Sequence, residues 1–209
     1  MKILVTGSAG MLGCTMLSEL SKIENFECIA CSRDEVDLTS TSDTLEFFAK
    51  HNPDTVIHCA SKVFGIGGNT AFPYDSWKIN NLININVINA SVETGVDHFI
   101  AVGTGAVYPH TLGEIALKEE NVWDGEPHDS ELGYAVAKRS MISGLQVAKK
   151  QHNMDYTYII SCNLFGPHDN FSIDHGHVTP TLIHKFFLAE QQGGEVEIWG
   201  DGSSIRDFL

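Results

Sequence analysis

Tyr134 and Lys138 stand four residues apart in Tyr134-Ala135-Val136-Ala137-Lys138, a spacing that puts both on one face of a helix. A phenol ordinarily titrates at about 10, so it needs a neighbouring ammonium before it can exchange a proton with an alcohol or ketone near neutrality. On its own such a pair is usually plain helix surface. Here Thr104, in Gly103-Thr104-Gly105 at the end of a predicted strand, offers a hydroxyl to the same substrate oxygen.

A second constellation opens the chain. Thr6-Gly7-Ser8-Ala9-Gly10-Met11-Leu12-Gly13 spaces its glycines G-x-x-G-x-x-G between a predicted strand and a predicted helix. A dinucleotide pyrophosphate asks for a tight turn, close backbone approach and a helix N-terminus with free N–H groups. Gly7, Gly10, Met11, Leu12 and Gly13 are therefore the candidate phosphate contacts. Arg33 follows the second strand, where a carboxylate would bind a free ribose 2′-hydroxyl. A guanidinium fork suits a 2′-phosphate, which favours NADP(H) over NAD(H). Asp37 and Leu38 fall where an adenine would lie, and Cys59 and Ala60 flank the pyrophosphate from the third strand.

These residues need a scaffold that gathers strand ends. Apolar runs at Lys2–Thr6, Glu27–Cys31, Thr55–Cys59, His98–Gly103, Tyr156–Ser161 and Glu195–Trp199 alternate with helical patterns, the signature of βαβ units. The predicted fold class is α/β, a doubly wound parallel sheet of the Rossmann type, its strands covered on both faces. Leu12, Met16 and Leu20 mark a first helix, Leu45, Phe48 and Ala49 a second, and Ile79 to Val92 a buried third. Ser61–Tyr74, Tyr108–Leu132 and Asn163–Val178 are expected as long loops on the side of the sheet where an open α/β fold binds ligands.

The chain has 209 residues and a formal charge of −14, which argues against a binder of duplex nucleic acid or of an anionic membrane. With 43% hydrophobic and 19% charged residues it is neither disordered nor fibrous in composition. No signal peptide pattern and no long apolar stretch occur, so a cytoplasmic location is expected. Cys14, Cys28, Cys31, Cys59 and Cys162 lack framework spacing and are expected as reduced thiols. His168, Asp169, His175, His177 and His184 cluster in sequence but without recognised zinc spacing, so no metal is expected.

The sequence resembles the extended short-chain dehydrogenases/reductases, and within them the GDP-L-fucose synthases. The resemblance runs over the whole chain. It is carried by Thr6 to Gly13, Ala60 to Ile66, Gly103 to Pro109, Tyr134 to Lys138, Asn163 to Phe171, His177-Val178-Thr179-Pro180, and Trp199 to Gly202 with Arg206-Asp207-Phe208-Leu209. It implies that Tyr134 is the acid/base at the substrate C4 oxygen, that Lys138 lowers its pKa and holds the nicotinamide ribose, and that Thr104 stands in for the usual serine. It also implies that His177 is a further acid/base group and that Asn163, Lys185, Trp199 and Arg206 contact a GDP-sugar. A homodimer is implied too, with Asn86 as a group that could position the lysine.

One position departs from that family's pattern. Two residues after the hydroxyl, where a cysteine is expected to move the C3/C5 proton, Gly103-Thr104-Gly105-Ala106 has alanine. Ala106 moves no proton, so the expectation is an NADP(H)-dependent C4-ketoreductase of a GDP-4-keto-6-deoxy sugar without full epimerisation. The same residues leave open a full GDP-L-fucose synthase, a nucleotide-sugar 4-epimerase or 4-dehydrogenase that retains NAD, and a non-catalytic cofactor-binding module. Residues 1–165 are expected as the cofactor domain and 166–209 as the start of a truncated substrate lobe.

Overall fold

The computed structural model describes residues 1–63, 65–111, 116–173, 176–198, 200–203 and 205–209. Five parallel strands, β1 (Lys2–Thr6), β2 (Glu27–Cys31), β3 (Thr55–His58), β4 (His98–Val102) and β5 (Asp155–Ile159), form one sheet in the order β2-β1-β3-β4-β5. The chain reverses its direction of winding between β1 and β3, so a crevice opens beyond their carboxyl ends. Their register sets Thr6 beside His58, and Ile57 beside Ile100.

Helices cover both faces. On one, Met16, Leu17 and Leu20 of α1 (Met11–Leu20) pack on Ile3, Val5 and Ile57. On the other, Phe48 of α2 (Thr41–His51), Val87 of α4 (Pro73–Glu93) and Leu145 of α5 (Leu132–His152) join Leu4, Val56 and Phe99 in the main core. Phe48 and Phe99 are fully buried, and truncating such a side chain to alanine typically costs about 3–5 kcal/mol. Local signals set the helix ends. The Ser40 side chain caps α2 by accepting from the Asp43 N–H, Pro73 opens α4, and Asn52 and Asn153 stop α2 and α5 in the left-handed conformation.

Several expectations change. The 61–74 stretch is not a loop: α3 (Gly65–Ala71) forms in it and α4 begins at Pro73. The 108–132 stretch holds short 3-10 turns at Glu119–Trp123 and Asp129–Glu131, while Leu112 to Ile115 lie outside the described residues. The third predicted helix is buried on one side only, since Ile85 remains 57% exposed beside a fully buried Val87. β5 lies at the sheet edge with Ile159 exposed, so it is not covered on both faces. No strand forms over 195–198, because the described sheet ends at β5 and leaves that segment no partner. Beyond α6 (Val178–Gln192) the chain returns to pair Phe208 with Asn163 in a single bridge.

Candidate active site

The glycine turn sits at the carboxyl end of β1, and its shape is dictated by what surrounds it. Gly7 has φ +67, and a side chain there would begin 2.8 Å from the Ala60 Cα. At Gly13 a Cβ would lie 2.2 Å from the Gly7 carbonyl, so α1 can approach the turn only as glycine. The Gly10 N–H donates to the Gly7 carbonyl at 2.9 Å, and Gly10 caps α1 without any side chain. The first-turn N–H groups at Met11 and Leu12 thus face the crevice uncovered, a fit for a pyrophosphate. Ala60, just beyond β3, closes the turn.

The rest of the cofactor set divides. Arg33 is exposed beyond β2 and open to a phosphate. The Asp37 carboxylate is already used: it accepts from the Thr39 N–H at 2.9 Å and the Thr39 hydroxyl at 2.7 Å, which holds its carboxyl below the usual range. The Leu38 side chain is part of the main core, leaving its backbone to line an adenine site.

Tyr134 and Lys138 share one face of α5, beneath the ends of β3 and β4. Lys138 is buried; its Nζ donates to the Val102 carbonyl at 2.9 Å and lies 5.8 Å from the centre of the Tyr134 ring. Burial pulls the Lys138 ammonium down to about 8, against an opposite pull from Cys59. The Cys59 thiol is pushed up to about 11 by burial, against the pull of Lys138. Burial also pushes the Tyr134 phenol up; its interaction with Ser61 draws it down, and Glu131 pushes it up again. Ser61 is thus a neighbour that draws the phenol down, while the Lys138 ammonium is anchored on the Val102 carbonyl.

Ser61 is in turn held by Asn80. Its hydroxyl donates to the Asn80 Oδ1 at 2.7 Å, which also accepts from the Lys62 N–H at 2.8 Å, while the Asn80 Nδ2 donates to the Ser76 carbonyl at 2.8 Å. Neither residue was singled out for this role from sequence. The available signal was the buried polar series Asn80, Asn84, Asn86 inside an apolar helix.

Thr104 stands just past β4 with its oxygen accepting from the Ala106 N–H at 3.2 Å, so its own hydrogen remains available to a ligand. The Ser161 hydroxyl holds the neighbouring Gly103 carbonyl at 3.0 Å, and the Arg139 Nε holds the Val107 carbonyl at 2.8 Å, so the turn that carries Thr104 and Ala106 is tied on both sides. Asn86 does not reach the lysine. It donates to the Leu38 carbonyl at 2.9 Å and accepts from the Thr41 hydroxyl at 2.8 Å. Asn84, two positions earlier and so on the opposite side of α4, reaches α5 instead, donating to the Ala137 carbonyl at 3.2 Å.

Three of the sugar-nucleotide candidates bond backbone carbonyls of the C-terminal segment. Asn163 Nδ2 donates to the Asp207 carbonyl at 2.9 Å, Lys185 Nζ to the Glu197 carbonyl at 3.2 Å, and Arg206 to the Ile205 carbonyl at 2.8 Å. His177 is exposed at the N-cap of α6. Trp199 and His175 lie outside the described residues. Among the described residues no three His, Cys, Asp or Glu side chains form a metal-binding group, and His184 donates from its ring to the Phe171 carbonyl at 2.7 Å.

A parallel sheet with a glycine turn at its switch point and a Tyr/Lys pair beside it defines a Rossmann-type dinucleotide-binding fold. The chain belongs to the NAD dependent epimerase/dehydratase family, which it matches over residues 3–209. It is 31% identical over 209 residues to GDP-L-fucose synthase of Escherichia coli (strain K12), covering 100% of this chain and 65% of that protein. It thus spans about two thirds of that relative's length. The crystal structure of a GDP-L-fucose synthetase from Naegleria fowleri bound to NADP matches with a TM-score of 0.87 and 32% identity, over 100% of this chain and 68% of that one. The GDP-mannoheptose C4 reductase of Campylobacter jejuni with NADP bound matches with a TM-score of 0.82 and 27% identity, over 90% of this chain and 55% of that one.

Proposed function

We propose that this chain carries the catalytic core of an NADP(H)-dependent reductase that converts the C4 ketone of a GDP-4-keto-6-deoxy sugar to an alcohol. The observation that carries the reading is the placement of Tyr134, Lys138 and Thr104 at the strand ends beside the Gly7–Gly13 turn. Its relatives include a GDP-L-fucose synthase and, among solved structures, a GDP-mannoheptose C4 reductase with NADP bound, which supports the substrate class and the cofactor.

Bound NADPH supplies hydride to the substrate carbon. The turn N–H groups hold the pyrophosphate, and Arg33 faces the 2′-phosphate. Thr104 donates its free hydrogen to the ketone oxygen, orienting it, and Tyr134 delivers the proton that completes the alcohol. As this transfer leaves a phenolate, Ser61 turns its single hydrogen from the Asn80 Oδ1 to the phenolate oxygen. Lys138 has two further N–H bonds beyond the one to Val102, enough to hold a ribose hydroxyl. His177 and Ala106 do not provide a two-base epimerisation pair, because alanine carries no transferable proton. Residues 166–209 contribute to the sugar-binding side of the site, and Asn163, Lys185, Trp199 and Arg206 are the GDP-sugar contacts.

The outer faces of α4 and α5 border a groove of about 460 Å³ lined by Ile85, Ile88 and Val147. We infer that a second copy covers it in a homodimer. For the activity, the test is GDP-4-keto-6-deoxymannose with NADPH in deuterated water. Oxidation of NADPH with a C4 alcohol and no solvent deuterium at C3 and C5 is the expected outcome. Deuterium at both carbons supports a full GDP-L-fucose synthase instead, and absence of NADPH consumption overturns the reductase reading.

A further inference from the structure

Three side chains and two backbone groups run as one line of hydrogen bonds through the interior, from the glycine turn to the catalytic helix. The Ala60 N–H donates to the Thr6 Oγ1 at 3.1 Å, and that oxygen lies 2.8 Å from the His58 Nδ1. The His58 Nε2 lies 3.1 Å from the Asn84 Oδ1, and the Asn84 Nδ2 donates to the Ala137 carbonyl at 3.2 Å. Thr6, His58 and Asn84 are all buried. Water therefore does not substitute for a missing partner.

The ends of the line fix its direction. A carbonyl only accepts, so the Asn84 amide nitrogen must face Ala137 and its oxygen must face His58. The histidine then carries its hydrogen on Nε2 and presents Nδ1 as an acceptor, to which the Thr6 hydroxyl donates. The Thr6 oxygen keeps a lone pair for Ala60. Every donor points the same way. A second proton on the ring is opposed by burial and by Lys138, the one charged group that the described residues set against it; the remaining neighbours are the neutral Thr6 and Asn84 and the Phe99 ring, 5.6 Å away.

The two ends matter chemically. Thr6 immediately precedes Gly7, whose conformation shapes the phosphate turn, and Ala60 is the residue on which Gly7 rests. Ala137 immediately precedes Lys138 on α5. We propose that His58 is a positioning residue: through this one-way line it sets the phosphate-binding turn in register with the part of α5 that carries Lys138, so that cofactor binding and the proton-transfer pair are adjusted together. The proposal rests on the oxidoreductase reading above.

The test joins a spectroscopic and a binding measurement. Nitrogen-15 imidazole spectra of the unaltered chain are expected to show one neutral ring with its hydrogen on Nε2 across about pH 5 to 8, the interval in which an unconstrained histidine titrates. A hydrogen on Nδ1, or a ring that gains a proton in that interval, overturns the proposal. Thr6→Val and Asn84→Leu keep shape but break the line at either side of the histidine. Each is expected to lose the single tautomer and to raise the NADPH dissociation constant by about fivefold to tenfold, the worth of one buried hydrogen bond, although Asn84 touches neither the turn nor its ligand. Thr6→Ser keeps the hydroxyl and is expected to restore both readouts. Variants that melt earlier yet bind NADPH as the unaltered chain does mark the line as merely structural and overturn the proposal. Failure of the unaltered chain to bind NADPH sinks the oxidoreductase reading, and the tautomer in the same sample separates that failure from a failure of the line.

Discussion

The Tyr158 ring fills the space in which a side chain on Gly103 would begin: a Cβ at residue 103 would lie 2.4 Å from the Tyr158 Cε1. The strand end that presents Thr104 therefore rests directly on an aromatic plate from β5. The hydroxyl of that plate reaches the Lys138 carbonyl at 3.4 Å, so one residue supports both Thr104 and α5.

Gly103→Ala is expected to destabilise the fold by about 1–3 kcal/mol, the usual cost of overpacking. It should also displace Thr104 and lower turnover more than it lowers cofactor affinity. Denaturant melts and steady-state kinetics check both effects. Pairing it with Tyr158→Val, which vacates the space, should recover part of the lost stability.

Lys138 gives a pH signature. Its folded-state value of about 8 lies below the 10.5 of an unburied lysine, so between those values the unfolded chain binds more protons than the folded one. Stability from this group therefore rises as pH climbs through that window, and below it the full cost of a buried charge remains. Lys138→Met removes that cost of about 3 kcal/mol at neutral pH, less the lost bond to Val102, and its advantage should fade near pH 10.5. Turnover should fall at least about a hundredfold. Urea midpoints measured across pH give the first result; an advantage that grows with pH contradicts the assignment.

Ser61→Ala removes the hydroxyl that draws the Tyr134 phenol down. Ketone reduction uses the protonated phenol, so its alkaline limb should move to higher pH. The kcat/KM profile of NADPH-dependent reduction reads this directly, and a limb that stays put or moves down contradicts the role.

Ala106→Cys places a thiol on the turn held by Ser161 and Arg139, two residues from the Thr104 hydroxyl. The expected gain is solvent deuterium at C3 or C5 of the product, with C4 reduction retained within about tenfold. Mass spectrometry of the sugar nucleotide checks it.

Ile85→Asp and Val147→Asp put charges on the outer faces of α4 and α5, where the native side chains are 57% and 60% exposed. Each is expected to convert the proposed dimer to monomer in light scattering, with the melting temperature within a few degrees of the parent's. Loss of the dimer without loss of folding identifies the face.

How much was legible in the chain varies by the kind of force involved. β1 and β2 were found at their observed limits, because an apolar run ending in turn residues is a local signal. Gly7 and Gly13 were readable because a positive φ at the first and close packing at both admit few alternatives there. α3 was missed because Gly65-Ile66-Gly67-Gly68 has poor intrinsic helix propensity and the helix is formed by packing. The segment 195–198 reads as a strand, but a strand exists only beside a neighbour. Ser61, Asn80 and Asn84 were the hardest to see, since which group a buried amide bonds is settled by tertiary contact and leaves no periodic trace. The Tyr134 and Lys138 pair was visible by spacing, yet where the ammonium anchors depended on Val102, at the end of β4.

Gly7 resting on Ala60 carries a lesson for protein engineering. The opening turn and the third strand form a single casting, with the backbone of one moulded into the missing side chain of the other. A chimera that transplants residues 6–13 from a homologue without the segment around residue 60 inherits a mismatched seat. Grafting the glycine turn will succeed only when both pieces travel together.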